Sequence, residues 1–390
     1  MEKLPTSPVR RVAILVETTR SYTRDLLLGV RQYMETNGPW STFLELRALE
    51  SSVPPWLEQW DGDGILTRTY SKEMADAIAA TGVAAVELRS TNFNRELPFV
   101  GMDNALVGQM VADHFLNRGY RRFAAYTLDT ESFFRERVRN FVSHIERAGA
   151  TCTLLPSQGE AGPENWEEHQ REMISWLASL EKPVGIFATN DQLASRLLDA
   201  CSRAGISVPD EVAVVGCENE KTLCEFANPT LTSVQFDGQA VGYWAAEVLD
   251  GLMRGEQIEE SISLIPPRGI EIRASSDEFV IEDPVVLRAV RLIRERAFSG
   301  LTVADICRDL SVSRSTLERR MNASLKRGSK EELQRFRFRE VNRLLRNTDL
   351  TIETIADMTG FTHPHYLQTC YRERFDQTPG QYRKESRKRS

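Results

Sequence analysis

The chain has 390 residues, room for two to four domains, and its 41% apolar and 27% charged residues are ordinary for a folded protein. Disordered, collagen-like and coiled-coil readings of the whole are thereby excluded. The net charge of −7 is unevenly spread: residues 284–390 hold 23 basic and 13 acidic side chains, or +10, and the 283 before them hold 26 and 43, or −17. Such a division suggests that only the C-terminal piece meets a polyanion.

The opening MEKLPTSPVRR leads into a short apolar run, VAILV, which reads as a first buried strand and not as a signal peptide. No run of about 18 apolar residues occurs, so no transmembrane helix is expected. Cys152, Cys201, Cys217, Cys224, Cys307 and Cys370 show no C-x-x-C spacing, and reduced thiols in a cytoplasmic protein are the expectation.

From residue 9 to 273, short β-type runs alternate with amphipathic helical stretches. The strands are expected at 12–16, 64–67, 84–88, 123–128, 185–189 and 212–216. The helices are expected at 25–35, 107–118, 135–148, 165–180 and 192–204. This alternation predicts an α/β fold with parallel sheets, and about 265 residues fit two Rossmann-like lobes with a cleft between them. The polar, acidic stretch 274–283 reads as a linker. Residues 284–390 show only helical periodicity, over 285–297, 303–309, 314–325, 330–347, 352–359 and 364–375, and so predict a separate all-α domain.

That domain contains an internal repeat. TVADICRDLSVSRSTLERR (302–320) aligns with TIETIADMTGFTHPHYLQT (351–369) at an offset of 49. Thr302 falls on Thr351, Ile306 on Ile355, Cys307 on Ala356, Ser311 on Gly360, Val312 on Phe361, Ser313 on Thr362 and Leu317 on Tyr366. Each copy reads as a short helix with a small residue at a close crossing, a tight turn, an apolar plug, and a Ser or Thr cap opening a polar helix. This is the helix-turn-helix pattern, present twice in a basic domain, and it points to double-stranded DNA. Leu301, Ile306, Leu310, Leu317, Ile355 and Phe375 are expected in its core.

The exposed face of the first polar helix should present Ser315, Thr316, Glu318 and Arg319, with Arg314 and Arg320 nearer phosphate. The second should present His363, His365, Gln368 and Thr369, with Arg372 towards the backbone. Arg319 suits guanine, Glu318 a cytosine amine and Gln368 adenine. His363 and His365 have no third ligand nearby, so no metal is expected.

Over about 100 residues this half resembles the AraC/XylS family of transcription regulators. The resemblance rests on IADMTGF (355–361), Tyr366 and YRERFDQTPGQYR (371–383), with RFREVNRLLRNTDLTI (337–352) as the connector. Asn342 stands where that family usually has Ala, and Ser311 where it has Gly. PVGIFATNDQLASRLLDACSRAGISVPDEVAVVGCENE (183–220) and PTLTSVQFD (229–237) resemble the sugar-sensing core of LacI/GalR repressors, which is periplasmic-binding-protein-like. The combination resembles the xylose-operon regulators, as do RSYTRDLLLGVRQYM (20–34) and PENW (163–166).

The resemblance implies a cytoplasmic, homodimeric regulator, an activator working with RNA polymerase, whose sugar effector is a pentose such as xylose. It points to Arg137, Asn190 and Glu218 as sugar ligands. Asp103 is a further candidate, and Tyr22, Phe134 and Phe236 could supply stacking faces. Glu218 departs from the family's Asp; one methylene shifts the carboxylate by roughly 1.3 Å, which would retune the pocket. An enzyme and a plain solute-binding receptor are the competing classes. The sequence has no G-x-G-x-x-G after a strand, no P-loop, no G-x-S-x-G, no histidine cluster and no cofactor motif.

Overall fold

The computed structural model describes residues 9–45, 52–90, 93, 97–157, 165–258, 261–277, 280–281, 283–325, 327–361 and 363–388. Two compact units form, Met1–Glu278 and Phe279–Ser390.

The first unit opens with β1 (Arg11–Leu15), α1 (Ser21–Asn37), β2 (Ser41–Leu44), β3 (Gly64–Thr67), α2 (Lys72–Thr81), β4 (Ala84–Glu87) and β5 (Phe99–Met102). It continues through α3 (Asn104–Asn117), β6 (Phe123–Leu128), α4 (Ser132–Arg147), β7 (Cys152–Ser157), α5 (Trp166–Ser179), β8 (Val184–Ala188) and α6 (Asp191–Arg203). β9 (Val212–Glu218), α7 (Lys221–Phe226), β10 (Thr232–Gln235), α8 (Gly238–Met253), β11 (Ile262–Ile265) and β12 (Gly269–Glu271) complete it.

The strands make two sheets. One has the order β11-β5-β4-β3-β1-β2 and is parallel throughout; the other has the order β12-β10-β9-β8-β6-β7, parallel except for β12. The central strands are apolar along their whole length (VAIL, GILT, VGIFA, VAVVG) because helices cover both faces. The chain passes between the lobes three times: after β5, after β10, and between β11 and β12. The crossings are tied by short bonds. Asp103 N donates to Ile265 O at 2.9 Å, and Arg268 grips Asp237 at 2.7 and 2.8 Å.

α1 and α8 pack against each other backbone to backbone. A Cβ at Gly29 would lie 2.0 Å from Gln239 O, and one at Gly242 would lie 2.0 Å from Leu26 O. No side chain larger than hydrogen fits at that crossing.

The second unit contains α9 (Pro284–Arg296), α10 (Val303–Asp309), α11 (Arg314–Leu325), α12 (Ser329–Asn347), α13 (Ile352–Met358), α14 (Pro364–Phe375) and α15 (Pro379–Lys388). It has two apolar clusters. Val290, Ile293, Leu301, Ile306, Leu317 and Met321 centre the first; Phe338, Leu345, Ile355, Phe361, Leu367 and Tyr371 centre the second. α12 contributes to both. Leu310 and Phe375 pack at the margins, half-buried.

The six expected strands and the expected helices are present. The structure adds β2, β5, β7, β10, β11 and β12, and α2, α7, α8 and α15. It also corrects the stretch read as a linker: Ser275 and Ser276 are wholly buried. Ser275 Oγ donates to Val214 O at 2.7 Å and accepts from Thr232 N, and Ser276 Oγ pairs with His114. Buried hydroxyls that bond neighbouring strands look polar in sequence yet are structural. All six cysteines are free thiols, and burial pushes Cys201 up to about 12.

Candidate functional site

The cleft between the lobes of the first unit is lined by segments that follow the C-terminal ends of strands from both sheets, the usual ligand position in open α/β sheets. It encloses about 460 Å³, part of it open to solvent, and Arg20, Tyr22, Arg68, Asn104, Phe133, Arg137, Glu218 and Phe236 line it.

Arg137 lies on α4 and is 3% exposed. Its Nε donates to Asn104 Oδ1 at 2.8 Å, and Nη1 donates to Thr189 O at 2.7 Å and approaches Glu218 Oε1 at 3.4 Å. Its guanidinium lies 4.9 Å from the Phe133 ring and 5.0 Å from the Phe236 ring. Tyr22 meets Phe236 edge to face at 5.5 Å, and burial pushes its phenol up to about 12.

Glu218 ends β9 with φ at 104°, and Asn219 follows at 52°. Both are left-handed without being glycine, a cost sustained only where the surroundings fix the backbone. Asp191, first residue of α6, does the fixing. Its Oδ2 accepts from Glu220 N at 2.7 Å, its Oδ1 accepts from Ser233 Oγ at 2.5 Å, and Ser233 Oγ in turn accepts from Asn219 N. A Cβ at Gly216 would lie 2.3 Å from Asp191 Oδ1, so that glycine makes room for the carboxylate. Burial pushes Asp191 up to about 7, with Ser233 opposing.

Contacts from the first lobe complete the cleft. Arg20 Nη1 stands 3.7 Å from Glu218 Oε2, and Ser21 N donates to Glu220 Oε2 at 3.0 Å. Arg89 pairs with Glu131, and Arg68 pairs with Glu17. A second space of about 800 Å³, part of it open to solvent and lined in part by Asn190, Gln192 and Thr222, adjoins the first through Arg20 and Glu218.

In the second unit, the repeat is visible in hydrogen bonds. Val312 N donates to Cys307 O at 3.1 Å, and Phe361 N donates to Ala356 O at 3.0 Å. Thr302 and Thr351 cap α10 and α13, and Ser311 and Gly360 are left-handed at φ 55° and 74°. Ser313 caps α11 by accepting from Thr316 N at 3.2 Å.

The register changes by one residue before the second polar helix. α11 starts at Arg314 and α14 at Pro364, and Leu317 matches the buried Leu367, whereas Tyr366 is exposed. The offset is therefore 50 in this helix. Thr362, expected as its cap, lies outside the described residues; His363 occupies the N-cap without a side-chain bond.

Comparison with known proteins is consistent across both units. Residues 112–276 match the periplasmic binding protein-like domain, and residues 306–385 match a helix-turn-helix domain. The xylose operon regulatory protein of Haemophilus influenzae is 27% identical over 381 residues, covering 96% of this chain and 98% of that protein. The protein of the same name from Escherichia coli K12 is 28% identical over 386 residues, covering 96% of each. A solved xylose-binding transcription activator, xylR, superposes with a TM-score of 0.80 at 26% identity, over 97% of this chain and 98% of that one. The chain is a DNA-binding transcription regulator. Its first unit is periplasmic-binding-protein-like, and its second carries an AraC-type double helix-turn-helix.

Within the regulator, Tyr22, Arg137, Glu218 and Phe236 of the sequence-derived candidates converge in the cleft. Asn190 caps α6 by accepting from Leu193 N at 2.7 Å and borders the adjoining space. Two candidates need correction. Asp103 caps α3 through Leu106 N at a crossing between lobes, and Phe134 sits in the second lobe's core while Phe133 faces the cleft. Arg20, Arg68, Asn104 and Phe133 were not expected. Arg68 directly follows an expected strand, and that position was the available signal.

On the polar helices, Arg314, Ser315, Arg319, His363, His365, Gln368, Thr369 and Arg372 are exposed, and Thr316 is half-buried. Tyr366 joins them as an exposed aromatic. Two more candidates are corrected. Glu318 is bound to Ser329 Oγ and accepts from Ser329 N at 3.1 Å, capping α12, and Gly328 is bare because a Cβ would lie 2.5 Å from Glu318 Oε2. Arg320 bonds both oxygens of Asp283 at 3.2 Å, anchoring the start of α9. Charged groups committed inside the fold have little left for a base edge.

Proposed function

We propose that a sugar bound in the cleft of the first unit controls how the second unit binds DNA. The reading rests on one observation: an Arg137–Glu218 pair from one lobe faces Arg20 and Arg68 from the other, with Tyr22 and Phe236 at the cleft wall. Paired guanidinium and carboxylate groups suit adjacent hydroxyls, and the rings suit a sugar's C–H face. Arg137, Asn190, Glu218, Tyr22 and Phe236 are assigned to this site. Arg314, Ser315, Arg319, His365, Gln368, Thr369 and Arg372 are assigned to DNA.

Xylose is the first candidate effector because of the names the full-length relatives carry. Glu218 in place of Asp favours a retuned pocket, so other pentoses belong in the same test. Effector binding shifts a two-state equilibrium only by its differential affinity for the two states. A cytoplasmic homodimer that activates transcription with RNA polymerase, and has no catalytic activity, completes the reading. Among the described residues, no helix is long and apolar enough to cross a membrane.

The test is a thermal-shift screen of the full-length protein against pentoses and hexoses. At 100 times the dissociation constant, a ligand adds about 2.7 kcal/mol of stability. A shift with xylose alone fixes the effector. A shift with another sugar keeps the mechanism and reassigns the effector. No shift with any sugar refutes the sensing function.

A further inference from the structure

The Arg68–Glu17 pair is unlike an ordinary buried ion pair. Glu17 is 1% exposed at its side chain and also bonds the Tyr70 hydroxyl, whereas Arg68 is 11% exposed and its buried Nε has no hydrogen-bond partner. A buried donor left unpaired is costly. Arg68 lines the cleft on the first-lobe side, and its guanidinium lies 5.8 Å from the Tyr22 ring. Arg137 lines it on the second-lobe side. Arg68 on the first lobe and Arg137 on the second are thus each held by a glutamate.

We propose that Arg68 is a specificity-determining residue of the effector site, that Glu17 positions it, and that the pair selects a neutral polyol. This rests on the sugar-sensing reading above. A hydroxyl accepts from a guanidinium, so Arg68 at the cleft wall suits a hydroxyl of a bound sugar, with Glu17 behind it holding the guanidinium in place. A sugar carboxylate satisfies the arginine but is repelled by Glu17. The neutral ligand completes the first-lobe wall, and a ligand touching both arginines holds the lobes together.

The experiment measures affinities of the full-length protein by calorimetry for D-xylose, D-ribose, L-arabinose and D-glucose. It includes their monodeoxy derivatives and D-xylonate. In the wild type, one monodeoxy derivative of the bound sugar should bind about 10- to 100-fold more weakly than its parent, the range expected of a hydrogen bond to a charged group. Arg68→Met should weaken the parent by a similar factor and leave that one derivative within about threefold, because the contact it lacks is already gone. Arg68→Lys should recover part of the discrimination, and Glu17→Gln should weaken the parent while retaining it.

Equal weakening of parent and all derivatives by Arg68→Met would make the residue merely structural and overturn the proposal. So would unchanged affinity, or tighter binding of D-xylonate than of D-xylose. If a sugar binds the wild type but Arg68→Met changes nothing, only this inference fails. If no sugar binds the wild type, the sensing function fails first and the inference with it. Melting of the ligand-free variants shows whether each is folded.

Discussion

Arg337→Met tests whether the two helix-turn-helix motifs act as one rigid body. Arg337 lies on α12 and is buried; its Nε donates to Ala297 O at 2.9 Å and its Nη2 to Leu301 O at 2.9 Å, both in the first helix set. The same guanidinium lies 5.7 Å from the Phe361 ring, the plug of the second motif. The Gly360 turn completes the joint, since a Cβ there would lie 2.3 Å from Ala297 O. Methionine keeps the volume and removes two charge-assisted bonds, leaving two carbonyls unpaired. At about 1.5 kcal/mol or more per bond, the loss is about 3 kcal/mol. For a domain near 100 residues, that is a fall in Tm of roughly 15 °C, which leaves it folded at room temperature.

The DNA consequence follows from the joint. Two motifs on a rigid connector bind successive grooves as one ligand, and loosening the connector lowers the effective concentration of the second. The assay is fluorescence anisotropy with a duplex selected by the wild type from a random pool, and with that duplex cut to one motif's footprint. The variant should bind the full duplex about 10-fold or more weakly and the half duplex within about threefold. Equal losses on both duplexes, or no loss on either, would refute the rigid-joint reasoning.

Three further outcomes are expected. Ser311→Gly relieves a left-handed serine at φ 55° and should raise the stability of the helical domain by about 1 kcal/mol, measured by urea unfolding at fixed m-value. Gly242→Ala should destabilise the first unit by about 2 kcal/mol or more despite alanine's helix preference, because its Cβ meets the Leu26 backbone; thermal unfolding followed by calorimetry reads the loss. Burial pushes Glu332 up, but Arg335 and Arg327 outweigh it and hold it at about 2, below its ordinary 4.5. Its stabilisation is therefore full above about pH 4.5 and is lost as pH falls towards 2; Glu332→Gln should flatten that part of the acid unfolding curve.

β1, β3, β4, β6, β8 and β9 were legible because burial on both faces makes them continuously apolar, as in VAVVG, whereas the interior strands β5 (FVGM) and β10 (TSVQ) are only four residues long and carry Gly or polar residues. β2, β11 and β12 were not legible, since edge strands such as β2 (STFL), exposed throughout, lack that signature. α8 hid behind Gly238, Gly242 and Gly251, of which Gly242 serves the α1 crossing rather than a turn. Arg137 was found through its motif, but its aromatic neighbour could not be chosen: Phe133 and Phe134 lie four and three residues before it on the same helical face, and only packing separates them. Glu318 and Arg320 show the opposite limit. A polar helix displays charges without telling which are bound to the residues beside it, and Ser329 and Asp283 decide that in three dimensions.

The most direct test of the account is the dissociation constant of the full-length protein for its selected duplex, with and without a saturating sugar from the screen. The account predicts a change of about tenfold or more, the size of a typical coupling between sites, and predicts that Arg137→Met abolishes the change while leaving the sugar-free constant alone. The same constant with and without a sugar that demonstrably binds the cleft would contradict it.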